Sequence, residues 1–85
     1  MIQFEKLLEY PEIIKYHGYK EYEEFTAVYI TIKTNHKNGN LNVTLRPTSI
    51  LLLENNQFVL EYLYDEIKNI IRRIDSGDTW FIVNN

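Results

Sequence analysis

The sequence predicts an α+β fold, in which a small antiparallel or mixed sheet packs against a long helix near the C-terminus. Two patterns support this prediction: strand-like alternation around a turn dipeptide at 38–39, and a helical apolar stripe over 57–75. The chain has 85 residues, of which 45% are hydrophobic and 14% aromatic. That length and composition fit a single domain, 1–85, with one packed core.

The N-terminal segment 3–17 is predicted to be helical, because its apolar residues fall near one stripe: Phe4, Leu7, Leu8 and Ile14. Pro11 interrupts the pattern, since proline disfavours helical geometry in the residue before it. We therefore expect two short helices, or one kinked helix, that end at Gly18, with His17 near the last carbonyls. Residues 19–24 form an acidic, tyrosine-rich connector in this interpretation.

A β-hairpin is predicted for 26–34 and 41–46. β-Branched residues alternate along the first strand, and Asn38-Gly39 is a typical two-residue hairpin turn. With that turn, the expected pairs are Ile32 with Leu45, Thr34 with Val43, and His36 with Leu41. The outward face of the hairpin then carries Tyr29, Thr31, Lys33, Thr44 and Arg46.

The C-terminal half contains the clearest helix, 57–75. Its apolar residues form one stripe, its acids lie in the first half, and its bases lie in the second half, as the helix dipole favours. The run 50–53 is apolar on both faces and predicts a strand, with a helical turn from Thr48 as the alternative. Gly77 follows the helix as a stop signal, and 79–83 predicts a last strand.

Charge is segregated along the chain, whose net charge is -3. The hairpin region 26–47 carries Lys33, Lys37 and Arg46 and no acid, whereas both flanking regions are acidic. Lysine on an edge strand can simply protect the sheet against aggregation. Alternatively, the cations form a contact face for phosphates or for an acidic protein.

Two aromatic residues stand out on the polar side of the predicted helix. Phe58 and Tyr62 are one turn apart, with Asp65 beside them. Exposed aromatic residues ringed by polar groups are typical anchors of protein interfaces. Single exposed aromatic residues are also ordinary on protein surfaces, so the pattern allows both interpretations.

The sequence carries no pattern that points to catalysis or to a cofactor. Because cysteine is absent, disulfides, thiolate zinc sites and cysteine nucleophiles are excluded. The two histidines lack metal-site spacing, and no serine lies in a nucleophile motif. We therefore expect a non-enzymatic protein with no metal. No apolar run approaches membrane-spanning length and no secretory signal is visible, so the expected location is the cytoplasm.

These observations favour a small protein-binding module that modulates or inhibits a larger protein by occupying its surface. Small inhibitors encoded by phages and other mobile elements have this general character, and a partner that handles nucleic acid would suit the acidic segments. The alternatives are nucleic-acid binding through the hairpin face and homodimerisation through an edge strand. The candidate binding residues are Lys33, Lys37, Arg46, Glu21, Glu23, Glu24, Phe58, Tyr62 and Asp65.

Overall fold

A computed structural model describes residues 2–34 and 39–77. It confirms an α+β fold, with a three-stranded antiparallel sheet in the order β1-β2-β3. The strands are β1 (Ile13–Glu21), β2 (Thr26–Lys33) and β3 (Asn40–Leu45). Two 3-10 helices, Phe4–Glu9 and Leu51–Leu53, and one long helix, α1 (Asn56–Asp75), complete the described part of the chain.

The core lies between one face of the sheet and α1. The central strand contributes Ile30 and Ile32, and the helix contributes Leu63 and Ile67, all of them fully buried. Leu7 of the first 3-10 helix joins the same cluster. Since burial of each large aliphatic side chain contributes about 1.5–3 kcal/mol, this shared core holds helix and sheet together.

The predicted helix 57–75 is confirmed, with its observed start at Asn56. Asn55 caps it, because the Asn55 side chain accepts hydrogen bonds from the backbone N–H groups of Gln57 (2.8 Å) and Phe58 (3.3 Å). At the other end, Gly77 has a φ of 96° and ends the helix as predicted.

The predicted N-terminal helix 3–17 is wrong beyond Glu9. The 3-10 helix ends at Glu9, and the chain then enters β1, which includes the first half of the predicted connector 19–24. Pro11 prevents helix continuation, and the isoleucines and tyrosines that follow it favour a strand. Gly18 therefore lies at a β-bulge, with a φ of 110°, and His17 lies in the same strand and not at a helix end.

The hairpin is confirmed, but its register differs from the predicted one. Ile32 lies opposite Leu41, and Ile30 lies opposite Val43, so the strands are shifted by four residues. Because an even shift preserves which side chains share a face, the predicted inward and outward sets are unchanged. Thr34, which was expected to pair with Val43, instead donates its backbone N–H and its hydroxyl to Gly39 O, at 3.2 and 2.8 Å. The predicted turn residue Asn38 and the predicted pair member His36 lie outside the described residues.

The predicted strand 50–53 is wrong, and the helical alternative is closer to the structure. Leu51–Leu53 forms a 3-10 helix, and the Thr48 hydroxyl accepts a hydrogen bond from Leu51 N at 3.1 Å. Pro47 precedes this turn and lacks the N–H that would continue a strand ladder. The predicted strand 79–83 lies outside the described residues.

Within 2–34 and 39–77, none of the helices, α1 included, combines the length with the apolar composition that a membrane span requires.

Candidate binding surfaces

The sheet has an outer face that points away from α1. On β2 this face carries Tyr29, Thr31 and Lys33, which alternate with the buried core residues. Thr44 lies opposite Tyr29 on β3. The Thr26 N–H donates to Pro47 O at 3.0 Å, which extends the same register and places Arg46 beside Ala27. We call this surface the cationic sheet face.

Four basic residues lie on the cationic sheet face. Lys33 and Arg46 were predicted there, and β1 adds Lys15, opposite Thr31, and Lys20, opposite Ala27. Within the described residues, no ion pair joins any of these four to a carboxylate. The sequence interpretation missed the two β1 lysines because it placed them in a helix and in a connector. The remaining predicted cation, Lys37, lies outside the described residues.

A hydrogen-bonded row of side chains crosses the middle of this face. The Thr31 hydroxyl donates to Asn42 Oδ1 at 2.6 Å, and His17 Nε2 lies 2.6 Å from the same hydroxyl oxygen. Since the single hydroxyl proton is directed to Asn42, His17 Nε2 is the donor to Thr31 Oγ1. The row fixes three polar side chains, one on each strand, in the plane of the sheet surface.

Tyr29 is the aromatic residue at the centre of the cationic sheet face, and it is 36% exposed. Its cross-strand neighbour on β1 is Gly18, which has no side chain. A Cβ atom built on Gly18 would meet nothing within 4 Å. One flank of the Tyr29 ring is therefore open.

A second surface combines large exposed apolar residues with carboxylates. Ile50 and Leu53, on the turn that includes the second 3-10 helix, are 79% and 84% exposed. Phe58 and Tyr62 on α1 are about half exposed, and their ring centroids lie 6.4 Å apart. We call these four residues, with the carboxylates of Glu54, Glu61 and Asp65, the acidic–apolar surface.

The turn between β1 and β2 adjoins this surface. Ser49 donates its backbone N–H to Glu24 O and its hydroxyl to Glu23 O, both at 2.9 Å. These bonds hold Glu23 and Glu24, two of the predicted binding residues, next to Ser49, which precedes Ile50. Glu21 lies elsewhere, at a small cavity of about 160 Å³ that the first 3-10 helix also lines.

A hollow of about 230 Å³ opens on α1 between Tyr62, Asp65, Glu66 and Asn69. Partial burial raises the pKa of Glu66 above its ordinary value. Nearby, burial and then the charges of Glu61, Glu9 and Asp65 raise the pKa of Tyr10. Several carboxylates thus lie on this side of the helix, away from the cationic sheet face, and one of them, Asp65, forms an ion pair of 3.3 Å with Lys68.

Phe58 and Tyr62 lie close together on α1, and Tyr62 and Asp65 line the same hollow. Ile50 and Leu53, which the predicted buried strand had concealed, are exposed on the preceding turn. Lys33 and Arg46 belong to the opposite face. Among the described side chains, no group of three histidines or carboxylates is placed to hold a metal ion. No protein-family model, curated protein or solved structure matches the chain, so its function is inferred from these two surfaces.

Proposed function

We propose that this protein is a small binding module that docks onto a larger protein through the acidic–apolar surface and blocks part of that partner's surface. The observation that supports the proposal most is the exposure of Ile50 and Leu53, at 79% and 84%. Neither side chain belongs to the core, so both are available to a partner. Burial of each in an interface contributes about 1.5–3 kcal/mol.

The four apolar residues have the character of interface anchors. Phe58 and Tyr62 present large rigid side chains that lose little conformational entropy when they are buried. The second 3-10 helix places Ile50 and Leu53 three residues apart, on one side of that turn. A partner with an apolar pocket would therefore bury aliphatic and aromatic groups in the same contact.

The charge of the acidic–apolar surface indicates which charged groups the partner would carry. Residues 47–67 include four carboxylates and no lysine or arginine, and Lys68, the next residue, pairs with Asp65 at 3.3 Å. A lysine or arginine of the partner would fit the hollow beside Asp65 and Glu66, and pairing would offset the cost of the partly buried Glu66 carboxylate. The expected partner therefore has an apolar pocket rimmed by basic residues, a combination that a groove for nucleic acid provides. Occupation of such a groove would inhibit the partner.

The proposal is tested by affinity capture from the native host with matched variants, followed by titration of the purified partner. The variant Ile50→Ser/Leu53→Ser removes the two most exposed anchors and leaves the core intact. The control, Leu8→Ser, alters an exposed leucine of the first 3-10 helix. We expect a partner that wild type and the control retain and the double variant loses, with affinity reduced at least tenfold, or about 1.4 kcal/mol.

Charge reversal supplies a second, independent arm of the same test. Glu61→Lys inverts a charge on the acidic–apolar surface, and Glu5→Lys makes the same change on the first 3-10 helix. We expect the former variant to slow association, because complementary charge mainly accelerates encounter. Equal capture by wild type and by all these variants would contradict the proposal.

A second copy of the chain is the alternative partner, and β3 is the element that would carry it. This strand lies at an edge of the described sheet and pairs regularly with β2, whereas β1, at the other edge, is interrupted by two irregularities. Regular edges pair with further strands more readily than bulged ones. Sedimentation velocity over a concentration series separates the two cases: a constant monomeric coefficient excludes self-pairing.

A further inference from the structure

We propose a second binding site, for single-stranded nucleic acid, on the cationic sheet face. This inference does not rest on the acidic–apolar surface, since it uses different residues on the opposite side of the molecule. It begins from the four cations, Lys15, Lys20, Lys33 and Arg46, which no carboxylate within the described ranges neutralises. Four of the nine lysine and arginine residues of this acidic chain therefore lie on one face of the sheet.

The cations are arranged around the face and not along one edge. Lys20 and Arg46 flank Ala27 at one end, and Lys15 and Lys33 lie toward the other end. Lys33 lies six positions after Ala27 along β2, which corresponds to a distance of about 20 Å at the rise per residue of a strand. A strand of nucleic acid that crosses the sheet would therefore meet positive charge where it enters and where it leaves.

Between the two ends, Tyr29 offers a surface on which a base can stack. Its ring is exposed, and Gly18 leaves open space on the β1 side. Base–aromatic stacking tolerates any sequence, because every base has a π-face. Gly18 has a positive φ that the bulge requires, and the same residue keeps the neighbourhood of Tyr29 clear.

The row His17–Thr31–Asn42 lies next to Tyr29 and supplies polar groups for a base edge or a sugar hydroxyl. These side chains are already fixed by their mutual hydrogen bonds, so little entropy is lost when a ligand binds to them. An exposed sheet with aromatic and basic side chains is a common platform for unpaired bases. A duplex hides its base faces, whereas a single strand offers phosphates to the cations and an exposed base face to Tyr29, so single-stranded nucleic acid fits the face best.

Fluorescence anisotropy with labelled oligothymidylate and oligouridylate tests this site on the full-length chain. We expect binding at low salt that weakens as salt rises, with a slope of log K against log salt of about -3, for four phosphate contacts on a single strand. The double variant Lys15→Gln/Lys33→Gln should reduce the magnitude of that slope by about 1.4. The control Lys6→Gln, which removes an exposed charge from the first 3-10 helix, should leave the slope unchanged.

The variant Tyr29→Leu tests the stacking of a base on Tyr29, because it keeps the side chain apolar and removes the ring. We expect affinity for both oligonucleotides to fall about 5- to 150-fold, with the salt slope retained. Circular dichroism of each variant establishes that the fold is intact before its affinity is compared. A Tyr29→Leu variant that binds as tightly as wild type would overturn the stacking arrangement and with it the proposed site.

Two further probes decide between ligand classes. If polyglutamate or duplex DNA binds at least as tightly as the single strands, the face is a general anion surface and the proposal is wrong. The same holds if no oligonucleotide binds at low salt. The variant Ile50→Ser/Leu53→Ser should bind oligonucleotides as wild type does, so that failure of protein docking and failure of this site are distinguishable.

Discussion

Tyr64 of α1 donates a hydrogen bond of 2.8 Å to Glu12 Oε1, just ahead of β1. The Tyr64 ring also stacks on Tyr10, with centroids 3.9 Å apart, and Lys68 Nζ lies 4.7 Å from the Tyr64 centroid. The contacts of Tyr64 with Glu12 and Tyr10 join residues more than 50 positions apart in sequence. They pack α1 against residues 10–12, the segment that connects the first 3-10 helix with β1.

The variant Tyr64→Phe should lower the free energy of unfolding relative to the wild-type protein. It removes the hydroxyl that binds a carboxylate and preserves the stacked ring, so the loss reports the hydrogen bond. Tyr62→Phe removes the same atom from an exposed tyrosine of the same helix and serves as the control. Urea denaturation measures both variants, and equal stability of the two would show that the Tyr64–Glu12 bond contributes nothing.

Alkaline pH should destabilise the protein through the same residue. The hydrogen bond to Glu12 is the main cause that raises the pKa of Tyr64 above its ordinary value of 10.0. Above pH 10 the unfolded chain loses this proton more readily than the folded chain, so the free energy of unfolding falls as pH rises. Tyr64→Phe lacks the ionisable group, and its stability should fall less between pH 9 and pH 11. Parallel slopes in wild type and variant would contradict this.

Long regular periodicity explains which parts of the fold could be predicted from sequence. The apolar stripe of α1 persists over about four turns, and it includes five buried positions: Val59, Leu60, Leu63, Ile67 and Ile74. The hairpin faces were predicted correctly because side chains alternate strictly along β2 and β3. The register of the strands was not predicted correctly, because it was derived from the turn dipeptide alone, whereas the observed pairing places Ile32 opposite Leu41.

Strand β1 could not be recognised because two irregularities change its period. The inward residues Ile13, Tyr16 and Tyr19 pair with core positions of β2 and are three residues apart, which is a helical spacing. The misreading concealed Lys15 and Lys20, and so half of the cationic sheet face. Phe58 and Tyr62 were found because they interrupt the polar side of a helix whose periodicity was clear.

Glu66→Gln should stabilise the protein at neutral pH. Partial burial raises the pKa of Glu66 above its ordinary value of 4.5, so the charged form is disfavoured in the folded state. The unfolded chain loses the proton first as pH rises, and the folded state is then penalised. The increase in the free energy of unfolding should therefore be present at pH 7 and vanish below about pH 4.5. Glu54→Gln, at an exposed position, is the control, and an equal gain in both variants would count against burial as the cause.

Gly18→Ala should destabilise the protein by about 1–3 kcal/mol, because its φ of 110° is strained for any residue with a side chain. A Cβ there meets no neighbour within 4 Å, so the cost comes from the backbone alone. Lys15→Ala, on the same strand, should change stability much less. Thermal unfolding compares the two, and an unaffected melting temperature for Gly18→Ala would mean that the bulge relaxes freely.

Asn55→Ala should cost about 1 kcal/mol of stability and should also weaken the proposed protein docking. The Asn55 side chain binds the N–H of Phe58, so loss of the cap lets the first helical turn fray and disorders that anchor. The adjacent asparagine offers a matched control, because Asn56→Ala changes the same chemical group inside the helix and leaves the cap in place. Asn55→Asp keeps the acceptor oxygen and should preserve both properties. Chemical denaturation and partner titration of the three variants test the prediction: if Asn55→Ala and Asn56→Ala behave alike, the cap does not hold Phe58 in its binding position.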